Sequence, residues 1–371
     1  MSPNLRFPEF QGEWEELGLS ELLDFKNGLN PKPDKFGKGI KFISVMDILN
    51  NAVITYDCIK ASVDVTEKEL SDFSVEKGDI LFQRSSETLE DVGRANVYMD
   101  DKTAVFGGFV IRGKKKGEYD PQYFNYLLRS PFARKRIIPM GAGAQHFNIG
   151  QEGLSKVKLH FANIEEQKKI GKMLSLLDER IATQNKIIDK LQSLIKGIAQ
   201  NIVRNNKPNV RLSECLESKS STLQESDVCE QGTYPVYGAN GIVGYLDNYN
   251  TEGEAVYIIK DGSGVGTVSY VTGKCSATGT LNTLQAKEGY SLQYLYYLLK
   301  VFNFEPYKTG MAIPHIYFKD YGKAKVFCPS YTEQLRYARL LSAIDNKLSI
   351  EQNILTELRL QKQYLLCQMF I

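Results

Sequence analysis

The sequence has no long hydrophobic run, few histidines and no cysteine pairs at metal-binding spacing. No apolar stretch reaches the roughly 18 residues that a membrane-spanning helix needs, although the chain has 371 residues. Its 6 cysteines are scattered without CxxC spacing and it has 3 histidines, so neither a disulfide framework nor a metal site is expected. The start of the chain has no apolar signal core, which predicts a cytoplasmic protein without membrane partners.

The motifs of the common enzyme classes are also missing. Segment 261–266 (DGSGVG) resembles a glycine-rich phosphate loop, but no GK[ST] follows it. The sequence contains neither HExxH nor GxSxG. It also lacks the Asn/Asp-Pro-Pro-aromatic tetrapeptide of amino-methyltransferases, to which segment 30–33 (NPKP) is the nearest string. We therefore predict no catalytic residue, metal or cofactor on this chain. An enzyme with unrecognised motifs, such as a stand-alone methyltransferase or nuclease, remains the alternative.

Net charge does not indicate a partner. Residues 1–163 carry 22 basic and 23 acidic side chains, residues 164–206 carry 8 and 5, residues 207–330 carry 11 and 12, and residues 331–371 carry 5 and 4. A DNA-binding surface, if the chain has one, must therefore be local.

What the sequence does contain is a long heptad pattern that occurs twice. Residues 164–203 place apolar residues alternately four and three apart, and residues 331–370 repeat the pattern 167 positions later. This period of about 3.5 keeps one narrow seam of each helix facing a partner helix. The predicted seam consists of Ile170, Leu174, Leu177, Ile181, Gln184, Ile188, Leu191, Ile195, Ile198 and Ile202 in the first copy, and Tyr337, Leu341, Ile344, Leu348, Glu351, Leu355, Leu358, Leu365 and Met369 in the second.

Two polar residues occupy matching positions in the two seams. Gln184 and Glu351 each lie near the middle of their helix. Antiparallel pairing of the two copies would bring them together, and we predict a polar layer that fixes the register at some cost in stability. The alternative is that both side chains lean out to water.

A globular segment with mixed strand and helix patterns precedes each helix. Strands are predicted at 41–45, 79–82 and 104–111 in the first segment and at 253–259 and 278–284 in the second. Short helices are predicted at 123–128, after the cap Asp120, and at 292–300. Each segment ends in a glycine- and alanine-rich turn, 141–146 or 310–315, before the Glu-Gln start of its long helix, which we interpret as a helix cap.

These patterns predict an α+β fold with an internal pseudo-two-fold repeat. Two mixed α/β globular domains are joined by two long helices that form an antiparallel coiled coil. The predicted ranges are 1–160 for the first domain, 161–206 for the central helix, 207–328 for the second domain and 329–371 for the C-terminal helix.

This order of segments resembles the specificity subunits of type I restriction–modification systems. The likeness rests on the opening segments 6–10 (RFPEF) and 12–14 (GEW), on segment 234–245 (YPVYGANGIVGY), and on the duplicated architecture. It implies two target-recognition domains on double-stranded DNA, two methyltransferase subunits bound to the helices, and motor-nuclease subunits added for cleavage. S-adenosylmethionine, and ATP with magnesium, would bind to those partners. The first globular segment lacks the Pro-Val-Tyr-Gly string.

Polar loops at strand ends are the predicted DNA-facing residues. Arg and Gln suit bidentate contacts with guanine and adenine edges, whereas basic runs suit phosphates. The predicted base contacts are Gln83, Arg84, Ser85, Ser86 and Arg94 in the first segment and Tyr237, Asn240, Lys260 and Ser263 in the second. The predicted phosphate contacts are Lys114, Lys115, Lys116, Arg134, Lys135 and Arg136, and the two turns contribute His146 and His315. For each loop a solvated surface is the alternative, and Asn240-Gly241 fits a tight hairpin equally well.

The sequence therefore favours a non-catalytic protein that recognises a bipartite DNA site with two domains at a fixed spacing. A coiled-coil scaffold for other proteins, or a subunit of a related type II enzyme with a bipartite site, are the competing hypotheses. A fixed gap requires a stiff spacer, because one base pair of error rotates the second half-site by about 34°.

Overall fold

The chain folds into two compact units. The computed structural model describes residues 2–310 and 312–371; Met1 and Met311, which fall in the predicted first domain and the second turn, lie outside the described residues. The first unit contains residues 1–184 and 354–371, and the second contains residues 185–353. Each compact unit therefore combines a globular segment with parts of both long helices, whereas the predicted ranges separated the helices from the globular domains.

Short strands and helices build the first unit. Its strands are β1 (Glu15–Gly18), β2 (Leu23–Asn27), β3 (Phe36–Ile43), β4 (Ser62–Val63), β5 (Ser74–Val75), β6 (Ile80–Gln83), β7 (Ser85–Ser86), β8 (Ala95–Val97), β9 (Ala104–Phe106), β10 (Val110–Lys115), β11 (Phe147–Asn148) and β12 (Lys158–Phe161). Its helices are α1 (Leu19–Leu22), α2 (Val45–Asn50), α3 (Glu67–Phe73), α4 (Pro121–Arg129), α5 (Pro131–Ile137), α6 (Gln151–Ser155) and the first part of α7 (Ile164–Asn205).

The second unit is built on the same plan. Its strands are β13 (Val210–Arg211), β14 (Leu216–Ser220), β15 (Tyr234–Gly238), β16 (Gly241–Leu246), β17 (Ala255–Ile259), β18 (Val268–Val271), β19 (Ser276–Ala277), β20 (Leu281–Ala286) and β21 (Lys325–Val326). Its helices are α8 (Leu212–Cys215), α9 (Leu292–Leu299), α10 (Phe318–Tyr321) and the first part of α11 (Tyr331–Gln368).

The main sheets of the two units share one strand order. Antiparallel strands run β2-β10-β6-β8 in the first unit and β14-β20-β17-β18 in the second. The central strands β6 and β17 are buried along their whole length. The predicted α+β class and internal repeat are confirmed at this level. No helix in the described part of the chain is long and apolar enough to cross a membrane.

One predicted strand is wrong. Segment 104–111 (AVFGGFVI) is not continuous: β9 ends at Phe106, β10 begins at Val110, and a turn closed by Val110 N donating to Gly107 O (2.8 Å) separates them. A Cβ on Gly107 would lie 2.6 Å from the Phe42 ring, and a Cβ on Gly108 would lie 1.9 Å from Asn30 Oδ1. The glycine pair therefore marks a tight turn inside an apolar run.

The two long helices pack against each other within the first unit. Ile170 and Leu174 of α7 share one apolar core with Leu365 and Met369, which lie at the C-terminal end of the chain. Further along, Asp178 Oδ1 lies 2.5 Å from Lys362 Nζ. Residue numbers rise in one helix as they fall in the other, so these segments run antiparallel.

The predicted seam residues are all buried or partly buried. The two polar members, Gln184 and Glu351, are each 7% exposed. Glu351 Oε1 also lies 2.5 Å from Lys347 Nζ on its own helix. The predicted pairing of Gln184 with Glu351, and the coiled coil as a whole, stay predictions.

The glutamine at the start of each long helix fastens that helix to a short helix. Gln167 Oε1 accepts from the backbone N–H of Asp120 (3.0 Å), and its Nε2 donates to Ala162 O (2.8 Å). Gln334 Oε1 accepts from the N–H of Ser291 (2.9 Å), and its Nε2 donates to Pro329 O (2.9 Å).

The prediction that the Glu-Gln start is only a helix cap is therefore wrong for the two glutamines. Their side chains accept hydrogen bonds from residues at the start of a short helix instead. At α7 the cap is Asn163, whose Oδ1 accepts from Glu166 N at 3.0 Å. The Glu166 carboxylate is fully buried and accepts hydrogen bonds from Nε and Nη2 of Arg6, each at 2.7 Å. Arg6 belongs to the opening segment, so this ion pair ties the start of the chain to α7.

A tyrosine–aspartate hydrogen bond forms the second fastening in each unit. Tyr126 Oη on α4 donates to Asp178 Oδ2 on α7 (2.7 Å), and Tyr297 Oη on α9 donates to Asp345 Oδ2 on α11 (3.2 Å). Burial, reinforced by the aspartate charge, raises the pKa of both tyrosine hydroxyls, so they remain donors at neutral pH. Together with the glutamine contacts, these bonds fix each globular segment to its helix at two points.

We expect Tyr126→Phe to lower the free energy of unfolding of the first unit by about 1.5–3 kcal/mol, because a hydrogen bond to a charged group is lost. Tyr297→Phe should have an effect of the same sign in the second unit. Denaturant unfolding followed by circular dichroism measures both changes. Tyr364→Phe is the matched control, since Tyr364 is 59% exposed. An unchanged unfolding midpoint for Tyr126→Phe would contradict the fastening role.

Candidate nucleic-acid interface

A short polar loop follows the central strand of the first unit. This loop, residues 84–86, is held on both sides: Arg84 N donates to Phe109 O (2.9 Å), and Ile149 N donates to Arg84 O (2.9 Å). Ser85 and Ser86 in β7 pair with Asn148 and Phe147 in β11, and the Ser85 hydroxyl donates to Asn148 Oδ1. The loop therefore presents its polar side chains from a stiff backbone.

The second unit repeats this backbone arrangement. Lys260 N donates to Thr280 O (3.0 Å), and Ile316 N donates to Lys260 O (2.9 Å). Asp261 Oδ1 lies 2.6 Å from His315 Nδ1. Lys260 thus occupies the backbone position of Arg84, and we name residues 84–86 and 260–262 the strand-end loops.

The backbone pairing corrects one predicted correspondence. Asn148 exchanges both backbone hydrogen bonds with Ala142 (2.8 and 2.9 Å), as His315 does with Thr309 (2.7 and 2.9 Å). The counterpart of His315 is therefore Asn148, whereas the exposed His146 lies two residues earlier. Matching the two turns by their histidines fails because the residue type at this position differs between the units.

Gln83 supports its loop from inside. Its side chain is 5% exposed, and Nε2 donates to Ser85 O at 2.9 Å. Its Oε1 is buried without a hydrogen bond to any atom of the described residues. In the free chain this amide points at the loop backbone, and a base contact by Gln83 stays a prediction.

Three arginines line one cleft beside the first strand-end loop. The cleft, of about 380 Å³, is bordered by Arg94, Arg129 and Arg134, with Glu90 at its edge. Arg94 O accepts from Gln83 N (2.7 Å), which places Arg94 at the same sheet end as the loop. We name this feature the arginine cleft.

The charges in the arginine cleft are partly compensated. Arg94 pairs with Asp91 at 2.6 Å, and Arg134 Nη2 donates to Glu90 O (2.8 Å) and Val92 O (2.7 Å). Burial, and secondly the Arg94 guanidinium, lowers the pKa of Arg134 to about 10. Burial also lowers the pKa of Arg129. A guanidinium group is a positively charged donor of several hydrogen bonds, and three of them in one cleft suit an anion such as a phosphate.

The other predicted phosphate contacts lie on the surface of the first unit. Lys114 lies 3.5 Å from Glu76, Lys116 lies 3.5 Å from Asp24, and Arg136 lies 3.9 Å from Glu16. Lys115 Nζ donates to Tyr119 O (3.0 Å), and Lys135 Nζ lies 6.0 Å from the Phe132 ring centroid. Exposed pairs of this kind contribute little to stability and exchange readily, so phosphate contacts by these residues stay a prediction.

The remaining predicted residues of the second unit have mixed surroundings. The centroid of the Tyr237 ring lies 5.7 Å from that of the Tyr257 ring, and burial raises the pKa of the Tyr237 hydroxyl. Asn240 is exposed in the tight hairpin that connects β15 and β16, where Gly238 pairs with Gly241. The hairpin alternative is therefore present in the structure. Ser263 is exposed just after the second strand-end loop.

Sequence reasoning missed three residues that the fold brings to these sites: Phe109, Arg129 and Asn148. Phe109 lies in a run that the sequence pattern predicts to be one strand, and Arg129 ends a helix whose other residues are mostly buried. Only the Gly107-Gly108 pair before Phe109 gave a local signal.

The comparisons with known proteins decide the family. The protein-family model of the type I restriction modification DNA specificity domain matches residues 11–193 and again residues 205–360. The chain belongs to this family. The matched segments cover both strand-end loops and both Glu-Gln helix starts.

One relative of this type I specificity chain extends over most of its length. It is 24% identical to a protein of Methanocaldococcus jannaschii described as the MjaX specificity subunit of a type I restriction enzyme, with 93% of this chain and 89% of that protein covered. It is 22% identical to the EcoKI specificity subunit of Escherichia coli over 50% of this chain and 40% of that protein. The solved S subunit from M. genitalium has 20% sequence identity and a TM-score of 0.68, with 100% and 99% of the two chains covered. At this identity the last likeness concerns the fold alone.

Proposed function

We propose that this chain is the non-catalytic subunit that recognises a bipartite DNA target, each unit contacting one half-site through its strand-end loop. Membership of the type I specificity family supports DNA target recognition. The finer assignment rests on one structural observation: equivalent polar loops, at Arg84 and Lys260, leave equivalent central strands of two sheets with the same strand order.

The fastening of each globular segment supports a fixed gap between the half-sites. The Gln167 and Tyr126–Asp178 contacts in one unit have direct counterparts at Gln334 and Tyr297–Asp345 in the other. Two contact points per segment limit its rotation on its long helix. Two linked binding modules gain affinity only when both engage at once, so a stiff connection selects one spacing.

The proposal includes partner subunits. Two methyltransferase subunits would bind the outer faces of the long helices, and restriction and translocation subunits would join for cleavage. S-adenosylmethionine, and ATP with magnesium, would be held by those partners. Cytoplasmic location stays a prediction from the sequence.

Methylome sequencing tests the proposal directly. The chain is expressed with its methyltransferase subunit in a host without adenine methylation, and methylated adenines are mapped by long-read sequencing. We expect one bipartite motif with a constant gap, and loss of all its methylation when this chain is omitted. Methylation that persists without the chain, or a motif of a single continuous word, would overturn the proposal.

The arginine cleft provides a separate prediction about phosphate contacts. The sequence predicted a base contact for Arg94, but because Arg94 shares this cleft with Arg129 and Arg134, we propose that it contacts a phosphate instead. Arg94→Ala should weaken binding of the methyltransferase complex to all duplexes alike and reduce the slope of log affinity against log salt by about 1. Arg94→Lys is the control, because it keeps the charge and should keep most of the slope. Fluorescence anisotropy at several salt concentrations measures both. If the loss of affinity in Arg94→Ala instead depends on which base occupies one position of the duplex, Arg94 contacts a base.

A further inference from the structure

An exposed phenylalanine stands at the edge of the first strand-end loop. Phe109 lies in the turn between β9 and β10 and is 68% exposed. It borders a cleft of about 430 Å³ together with Ser85, Phe36 and Met46, the last two being 43% and 61% exposed. A group of exposed apolar side chains next to polar residues usually marks a contact surface.

The backbone of Phe109 is fixed to that loop. Arg84 N donates to Phe109 O (2.9 Å), and Arg84 Nη1 donates to Gly108 O (3.3 Å). The close approaches at Gly107 and Gly108 leave no room for side chains in the turn. Phe109 is therefore presented at a defined position beside Arg84, which a contact with a base edge requires.

The second unit carries a different chemistry at the same backbone position. Lys260 N donates to Thr280 O (3.0 Å), as Arg84 N does to Phe109 O. The following turn bond, Leu281 N to Thr278 O (3.1 Å), matches Val110 N to Gly107 O. Position 109 in one unit thus corresponds to position 280 in the other, and an aromatic ring replaces a hydroxyl. The two units therefore share the same backbone hydrogen bonds at this position but carry different side chains there. Such a difference is suited to distinguishing the two half-sites.

We propose that Phe109 is a specificity-determining residue that packs against the C5-methyl group of a thymine in the half-site contacted by the first unit. Among the groups that base pairs present in the major groove, the thymine methyl is the apolar one. The neighbouring Arg84 and Ser85 supply hydrogen-bonding groups for adjoining base edges, so Phe109 adds the apolar part of the same surface. This inference rests on the proposed function.

Replacing thymine by deoxyuridine, which lacks only the methyl group, tests the contact. The methyltransferase complex is titrated with bipartite duplexes in which each thymine of that half-site is replaced in turn. We expect the affinity of the unaltered complex to fall about threefold to fivefold at one thymine, the effect of exposing one buried methyl group. The Phe109→Ala complex should change by less than about 1.5-fold at that thymine, since its contact is already absent.

Thr280→Ala is the matched control, altered at the equivalent position of the second unit, and it should keep the full response to deoxyuridine. Equal responses of the Phe109→Ala and unaltered complexes, or a first-unit half-site without any A·T pair, would overturn the proposal. Failure of the proposed function is seen separately, as the absence of a bipartite methylated motif. Thermal unfolding should show no loss of stability for Phe109→Ala, because the side chain is mostly exposed.

Discussion

Replacing Arg84 with alanine relaxes the sequence requirement at one half-site and leaves the other intact. A bidentate contact between arginine and a base edge discriminates by about 1–3 kcal/mol, which corresponds to roughly 5-fold to 150-fold in affinity. Arg84 lies on the strand-end loop of the first unit and is fixed there by backbone hydrogen bonds on both sides. Methylome sequencing of Arg84→Ala should therefore show one degenerate base in one word of the motif.

Two further variants make this result decisive. Lys260→Ala alters the structurally equivalent residue of the second unit and should relax the other word. Arg84→Lys retains the charge but loses the planar fork, so it should relax the same base less than Arg84→Ala does, because lysine can still bond a guanine edge. Equal relaxation of both words by Arg84→Ala would show that Arg84 does not read a base.

Lengthening both helices by one heptad should abolish methylation at the native gap. The variant carries a second copy of residues 178–184 after Gln184 and of residues 347–353 after Asn353, at the boundaries of the two compact units. Seven helical residues add about 10.5 Å, the rise of about three base pairs at roughly 3.4 Å each. With only one half-site in reach, affinity should fall at least roughly 100-fold.

The half-site words should remain readable in the lengthened variant. Any methylation that it supports is expected at sites with the same two words and a longer gap. An insertion into the first helix alone serves as the control, because it shifts the alignment of the two helices, leaves seam residues without partners and should lower the thermal stability of the chain. Methylation by the doubly lengthened chain at the unchanged gap would refute the role of the helices as a spacer.

The long helices could be predicted closely because their signal is redundant. The heptad pattern covers residues 164–203, and α7 runs from Ile164 to Asn205. The second pattern covers residues 331–370, and α11 runs from Tyr331 to Gln368. A repeated period also exposed the internal duplication. Interruption of one or two positions by polar residues such as Gln184 does not hide such a period.

The site was harder to predict because it depends on contacts between distant segments. Asn148 acquires its position from pairing with Ala142 and Ser85, so no local pattern marks it. Phe109 sits in an apolar run that reads as one strand, and its exposure follows from the turn at Gly107 and Gly108. Gln167 looked like part of a cap, whereas its side chain reaches Asp120, 47 residues earlier in the chain.

The two hydrogen bonds that attach each globular segment to its long helix require few specific residues in that segment. One uses a backbone N–H, supplied by Asp120 in one unit and by Ser291 in the other. The second uses a single tyrosine hydroxyl, at Tyr126 or Tyr297. Substitutions on the rest of the surface of a globular segment leave these two hydrogen bonds intact. If the proposed function holds, exchange of whole globular segments between related chains should therefore keep these attachments and change the target words in one step.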